Sequence, residues 1–283
     1  MQIIHTTAEL RNALAAYGKT HAEVGFVPTM GALHEGHIQL VTRCAHENNV
    51  CVVSIFVNPT QFNDPNDLTN YPRTPEKDCA LLEKAGCDLV FMPSVEEMYP
   101  SPDTRVFDFG SLATVMEGNA RPGHFNGVAQ IVSKLFDSVQ PNRAYFGEKD
   151  FQQLAIIREL VRQQASSIEI VACPIVREAD GLAMSSRNRR LSPEEREKAN
   201  QIAALLFKSR TFVGNKTIQE TIQWITDELG KVPVFRLDYF EIVDGKTLQP
   251  IESWDASEYI VGCVAVFCGK VRLIDNIEYK HAN

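Results

Sequence analysis

The chain is 283 residues long, 44% hydrophobic and 23% charged, with a formal net charge of −8. That length exceeds one typical core of roughly 100–150 residues, so one large or two modest domains are expected. The acidic balance argues against a nucleic-acid partner and against an anionic membrane surface, and leaves room for a local basic pocket for a small anion.

The seven cysteines form no CxxC pairs. Cys51, Cys173, Cys263 and Cys268 lie in apolar runs and read as small buried hydrophobes, and no zinc-type spacing appears. Such usage suits a reducing cytoplasm. The opening MQIIHTTAEL lacks a basic segment followed by an apolar one, so no secretory leader is expected. The apolar runs near 50–57 and 259–268 fall short of the ~20 residues that a membrane-spanning helix needs.

In chain order, GFVPT (25–29) predicts a strand leading into a helix that begins near Gly36. VCVVSIFVNP (50–59) is a continuous β-branched run, as for a strand covered on both faces. Thr74-Pro75-Glu76 predicts a helix start with an N-cap, a first-turn proline and an early acid, and Gly86 predicts its end. DLVFMP (88–93) predicts a short strand, 126–139 a helix stopped by Pro141, and AYFG (144–147) a strand. Asp150 predicts the cap of a helix to about Gln164, and IEIVACPIV (168–176) the next strand. Strands alternating with helices predict an α/β fold: a Rossmann-like parallel sheet with helices on both faces.

Beyond Glu178 the pattern changes. Ser192 with Glu195, and Thr217 with Glu220, are capping boxes that each predict a helix. DYFEIVD (238–244), YIVGCVAVF (259–267) and VRLIDN (271–276) predict an antiparallel meander with a tight turn at Gly269-Lys270. The expectation is therefore two domains, 1–176 and a smaller C-terminal α+β lid domain, 177–283.

In open α/β sheets ligands bind beyond the carboxyl ends of the strands. Four polar or glycine-bearing loops fall there: His34-Glu35-Gly36-His37, Asn58-Pro59-Thr60-Gln61-Phe62, Gly147-Glu148-Lys149-Asp150 and Arg177-Glu178-Ala179-Asp180-Gly181. Their convergence predicts an active site along one sheet edge. In the first loop, Gly31 permits close backbone approach and Gly36 leaves the space between two histidines clear. A helix starting there presents free N–H groups and a positive dipole end to phosphate. His34 and His37, three apart, share a face. The blander alternative is a pair of solvated or capping histidines.

HEGH resembles the HxGH signature of the nucleotidylyltransferase superfamily. The longer strings PTMGALHEGH (28–37), FVNPTQF (56–62), YPRT (71–74), RPGHFNGV (121–128), FGEKDFQQL (146–154), READGLAMSSRN (177–188) and RLIDN (272–276) resemble, in order, those of the pantothenate synthetase (pantoate–β-alanine ligase) family. The resemblance spans essentially the whole chain. It implies ATP-dependent condensation of (R)-pantoate with β-alanine through a pantoyl adenylate, with release of pyrophosphate and AMP. It implies magnesium held mainly by the ATP phosphates, no dedicated metal ligands, and a homodimer.

The family pattern assigns ATP contacts to Met30, Gly31, Ala32, Leu33, His34, Glu35, Gly36 and His37, to Gly147, Glu148, Lys149 and Asp150, to Val176, and to Met184, Ser185, Ser186 and Arg187. His37, His34 and Lys149 are the catalytic candidates. Gln61 and Gln153 are assigned to pantoate, and Gln61 also to β-alanine. The amide suits a substrate bearing hydroxyls and a carboxylate.

Other readings stand beside these. Asp150 also reads as a helix cap and Gln153 as its capping-box partner. Lys149 reads as a surface lysine, and the three arginines within 187–190 as a solvated basic turn. Asn58 reads as an orienting or turn-forming residue. Asp78 is a conceivable outer ligand for magnesium, and more simply an acid at the positive end of a helix. Thr60 departs from the larger apolar residue common in the family, and 205–260 matches no motif. Another adenylyltransferase that keeps the adenylate in its product, and a nucleotide sensor without turnover, are the competing functions.

Overall fold

In the computed structural model, residues 1–18 and 22–281 are described. The chain divides into two compact units. The first comprises Met1–Phe109, Arg121–Glu148 and Ile156–Pro174; the second comprises Gly110–Ala120, Lys149–Ala155 and the chain from Ile175 onward.

The elements of the first unit begin with β1 (Gln2–Ile4), α1 (Thr7–Gly18), β2 (Val24–Thr29), α2 (Glu35–Glu47), β3 (Val50–Ile55), α3 (Pro65–Thr69), α4 (Pro75–Lys84), β4 (Leu89–Phe91) and α5 (Val95–Met98). After α6 (Met116–Ala120), which belongs to the second unit, follow α7 (His124–Val139), β5 (Arg143–Gly147), α8 (Phe151–Gln163) and β6 (Glu169–Cys173). The start of α8, up to Ala155, falls in the second unit and the rest of it in the first.

The six strands form one parallel sheet in the order β1-β4-β3-β2-β5-β6. Strand alternation divides its side chains. Val27, Cys51, Val53, Val90 and Tyr145 pack with Leu40, Val41 and Cys44 of α2 and Leu82 of α4. Phe26 and Phe146 point to the other face, where each meets the ring of Phe136 on α7 edge-on. Burial on both faces explains why β3 reads as a nearly continuous apolar run, broken only by Ser54. The strand order reverses between β2 and β5. Pairing of β2 with β3 continues to Thr29, but pairing of β2 with β5 stops at Phe26. The strands therefore splay at the switch point, and Pro28, which has no N–H to offer, lies past the last β2–β5 pair.

The second unit is built on α6, α9 (Pro193–Ala199), α10 (Gln201–Ser209), α11 (Ile218–Gly230) and an antiparallel sheet β7 (Phe235–Asp244), β8 (Tyr259–Cys268), β9 (Val271–His281). Both expected capping boxes are present, Ser192 with Glu195 and Thr217 with Glu220. Leu206, Ile225 and Leu229 cover one face of this sheet against Ile242, Val264 and Leu273. The other face carries Val243, Val261 and Cys263, and Met116 and Phe151 cover it. Two apolar faces require two covers. This is the physical reason why 110–120 and 149–155 belong to the unit built largely from the chain after 175. Arg272 on β9 ties α6 in place with two hydrogen bonds, 2.7 and 2.9 Å, to the Glu117 carboxylate.

Candidate active site

The turn between β2 and α2 is held by a buried acid. Gly31 and Ala32 take positive φ values of 80° and 50°. For alanine that conformation costs roughly 1 kcal/mol or more unless its surroundings enforce it. Asp78, on the first turn of α4 and 1% exposed, supplies the enforcement. Its Oδ2 accepts from Ala32 N–H at 2.8 Å, and its Oδ1 from Leu33 N–H at 2.8 Å and from the Thr74 hydroxyl at 3.0 Å. The Thr29 hydroxyl adds a bond from Gly31 N–H, 3.2 Å, and donates to Ser54 O on β3, 2.7 Å. The sequence pattern assigns Thr74 to capping; its hydroxyl instead serves Asp78, and no side-chain cap forms. Asp78 acts on the loop rather than on its own helix end, a role for which the sequence carries no local signal because its partners lie 45 and 46 residues away.

His34 then sits in extended conformation as N-cap of α2, and its carbonyl accepts the first helical bonds from His37 and Ile38. His34 N–H donates to His37 Nδ1 at 3.4 Å. The two rings lie 4.0 Å apart with a 37° tilt, both half-buried. Acceptance at Nδ1 places the proton of a neutral His37 on Nε2, making that atom a hydrogen-bond donor. The helix N-terminus adds oriented N–H groups. Met30 is half-buried, Glu35 is exposed, and Gly36 is buried within α2.

Gln61 is held in the same unit by a second network. It ends a short 3-10 turn, Pro59–Gln61, after β3. Asn58, 1% exposed, donates to Gln61 Oε1 and to Gly127 O, each at 3.1 Å. Asn58 Oδ1 accepts from Tyr99 at 2.8 Å and Thr60 at 3.2 Å. The Gln61 amide donates to the Met30 sulfur at 3.4 Å, and the Gln61 carbonyl accepts from His124 Nδ1 at 2.8 Å and Arg121 at 3.2 Å. A Cβ on Gly127 would stand 2.4 Å from Thr60 O, so only glycine lets α7 approach this turn. The motifs FVNPTQF and RPGHFNGV are thus two sides of one contact. Asn58 is the orienting residue.

The remaining expected residues are placed as follows. Gly147 ends β5 and Glu148 follows it, both half-buried in the first unit. In the second unit, Lys149 is half-buried and pairs with its neighbour Asp150 at 3.3 Å. Lys149 O accepts from Asn276 Nδ2 at 3.1 Å. Gln153 is half-buried on α8, which follows directly on the 3-10 turn Glu148–Asp150. The neighbouring Gln152 bears the structural bonds, donating to Leu112 O and Val115 O and accepting from Glu117 N–H.

Val176 and Met184 face one another across a hairpin whose bridge is Arg177–Ala183 and whose turn contains Gly181 at φ 93°. Met184 N–H donates to Val176 O at 3.0 Å. Ser185 caps the following 3-10 turn, Ser186–Arg190, by accepting from Arg187 N–H at 3.2 Å. Residues that the sequence separates by eight positions are therefore one local structure.

A doubly wound parallel sheet with a clamped glycine turn and a helix N-terminus beside its switch point is the arrangement at which α/β enzymes commonly bind phosphate-bearing ligands. The family profile described as pantoate-beta-alanine ligase matches residues 2–278. A pantothenate synthetase of Bacteroides fragilis is 62% identical over 282 residues, covering 100% of both chains. The crystal structure of pantothenate synthetase from Thermus thermophilus superposes with a TM-score of 0.92 at 48% identity, covering 99% of this chain and 100% of that one. That of a pantoate-beta-alanine ligase from Francisella tularensis, complexed with beta-gamma ATP and beta-alanine, gives 0.82 at 35% identity, covering 99% and 98%. The chain belongs to the pantoate–β-alanine ligase family.

Proposed function

We propose that the chain condenses (R)-pantoate with β-alanine at the expense of ATP, in two steps. The pantoate carboxylate first attacks the α-phosphorus of ATP; the bond to the β-phosphate oxygen breaks and pyrophosphate leaves. The β-alanine amine then attacks the acyl carbon of pantoyl adenylate, loses a proton, and expels AMP. Adenylation is chemically necessary because a free carboxylate offers only oxide as leaving group.

In this reading the first step accumulates charge on the phosphates, and fixed donors aimed at that charge supply most of the catalysis. His37 Nε2, His34 and the N-terminal N–H groups of α2 are those donors. Lys149 contributes a point charge for the triphosphate, and Ser185, Ser186 and Arg187 grip the distal phosphates. Gln61 and Gln153 hold pantoate, with Gln61 also near β-alanine. Magnesium enters with ATP as MgATP. Asp78 is not its ligand in this scheme, since it is 1% exposed and its carboxylate is engaged by Ala32, Leu33 and Thr74 in holding the turn. Reaction in the cytoplasm and assembly as a homodimer complete the proposal.

The observation that carries the reading is the placement of the HxGH pair at the sheet's switch point in a chain matching the ligase family from residue 2 to 278. The test is AMP release from ATP, magnesium and pantoate, with and without β-alanine. AMP appearing only when β-alanine is present supports the ligase. Release independent of β-alanine, or adenylate retained in the product, sinks it.

A further inference from the structure

The strand β9 motif RLIDN has no catalytic role in the scheme above, yet two of its residues are buried polar groups. Asp275 is 4% and Asn276 8% exposed. Neighbours on a strand point to opposite faces, so two adjacent buried polar side chains must each find partners on different sides. They do so on two segments of the same unit.

Asp275 forms a bidentate pair with Arg177, with bonds of 2.7 and 3.0 Å. Arg177 also donates to Gly181 O at 3.1 Å, across the turn of the hairpin that it opens. The fork therefore fixes both the base and the tip of the 176–184 hairpin, from which Ser185, Ser186 and Arg187 continue. The Arg177 guanidinium lies 4.8 Å over the Phe207 ring, which confines it from another side. Asp275 Oδ1 also accepts from Asn276 N–H at 2.8 Å, coupling the two residues. Asn276 Nδ2 in turn donates to the carbonyl of Lys149. An amide is the fitting donor here: a carboxylate in its place would face a carbonyl oxygen with no proton to share.

We infer that Asp275 and Asn276 are positioning residues for ATP, Asn276 setting the backbone of Lys149 and Asp275, through Arg177, setting the hairpin that presents Met184 to Arg187. The inference rests on the assignment of Lys149 and Met184–Arg187 to ATP. A rigid strand holding loop residues is how a site gains angular precision, and loss of that support misplaces the groups it carries without removing them.

The experiment is a double-mutant cycle on the full chain with Lys149→Ala, Asn276→Ala and the double variant, read as kcat and KM for ATP and for pantoate, with thermal unfolding recorded for each. Asn276→Ala is expected to lower kcat/KM for ATP roughly 10- to 100-fold with pantoate KM little changed, and to add little once Lys149 is alanine. Arg177→Lys, which replaces the fork with a point charge, serves where Asn276→Ala does not fold; it is expected to raise KM for ATP while leaving pantoate KM in place. Wild-type ATP kinetics in folded Asn276→Ala or Arg177→Lys overturns the inference while the Lys149 assignment stands. Fully multiplicative losses in the cycle also overturn it, since Asn276 would then act independently of Lys149. Wild-type activity in Lys149→Ala removes the Lys149 assignment itself and the inference with it.

Discussion

His34 and His37 face one another with ring centroids 4.0 Å apart, and the backbone N–H of the first is shared with Nδ1 of the second. The arrangement commits Nδ1 of His37 to its own helix start and directs Nε2 as the donor. Such a contact strengthens as negative charge develops on phosphate. His37→Ala should therefore lower kcat by roughly 10²–10³ while the dissociation constant for ATP moves only severalfold. Equal losses in binding and turnover would show that the contact is made in the ground state.

Asp78 is expected to matter for both folding and turnover. Asp78→Ala removes the buried charged acceptor of the Ala32 and Leu33 N–H groups, at about 1.5–3 kcal/mol for each such bond lost. Asp78→Asn keeps one acceptor but turns an NH2 toward a donor. Both variants should unfold at lower urea concentration, and the residual folded enzyme should have reduced kcat because the turn holding His34 relaxes. An Asp78→Asn variant with unaltered stability and turnover would show that the clamp has no function.

The two glutamines separate by mechanism. Asn58→Ala frees the Gln61 side chain from the 3.1 Å bond that orients it, so KM for pantoate should rise about tenfold, roughly the effect of one hydrogen bond at ~1.4 kcal/mol, with KM for ATP little changed. Gln153→Ala should also raise pantoate KM, with its melting temperature near wild type. A lower melting temperature with unchanged KM would reverse that assignment.

Acid stability should have an identifiable contributor. The Arg105 guanidinium, 2.6 Å away, holds the Asp103 carboxyl down at about 2. A carboxyl whose native value lies below its unfolded value, about 3.9, stabilises the fold above that value and loses the contribution as pH falls toward about 2. Arg105 also donates to Ser133 and to Gln130 O on α7, so the pair fastens the segment around 103–107. Asp103→Asn should flatten the dependence of unfolding free energy on pH between about 4 and 2, measured by denaturant melts at each pH. An unchanged slope would assign acid sensitivity to other groups.

Local pattern carries much of the architecture. The runs near 50–57 and 259–267 are strands rich in β-branched residues, the run at 144–147 is a strand of small and aromatic ones, and Ser192 and Thr217 start helices because each cap bond closes within three residues. β1 and α1 are not legible in the same way: QII is too short to show a period, and it becomes a strand only by pairing with β4. The coverage of the second sheet by 110–120 and 149–155 is equally illegible, since nothing in those short segments announces which apolar face they will meet.

The sequence by itself determined the family, through seven motifs in order, and with it the expected chemistry and the residues expected at the site. Those motifs are contiguous strings whose meaning survives without coordinates. Only the tertiary structure decided what supports them. Asp78 clamps a turn 45 and 46 residues before it, Asn276 reaches Lys149 over 127 residues, and Asp275 reaches Arg177 over 98. A hydrogen bond depends on where two groups stand in space and a linear pattern records only where they stand along the chain, so these supports became visible only once each unit had folded and brought its distant segments together.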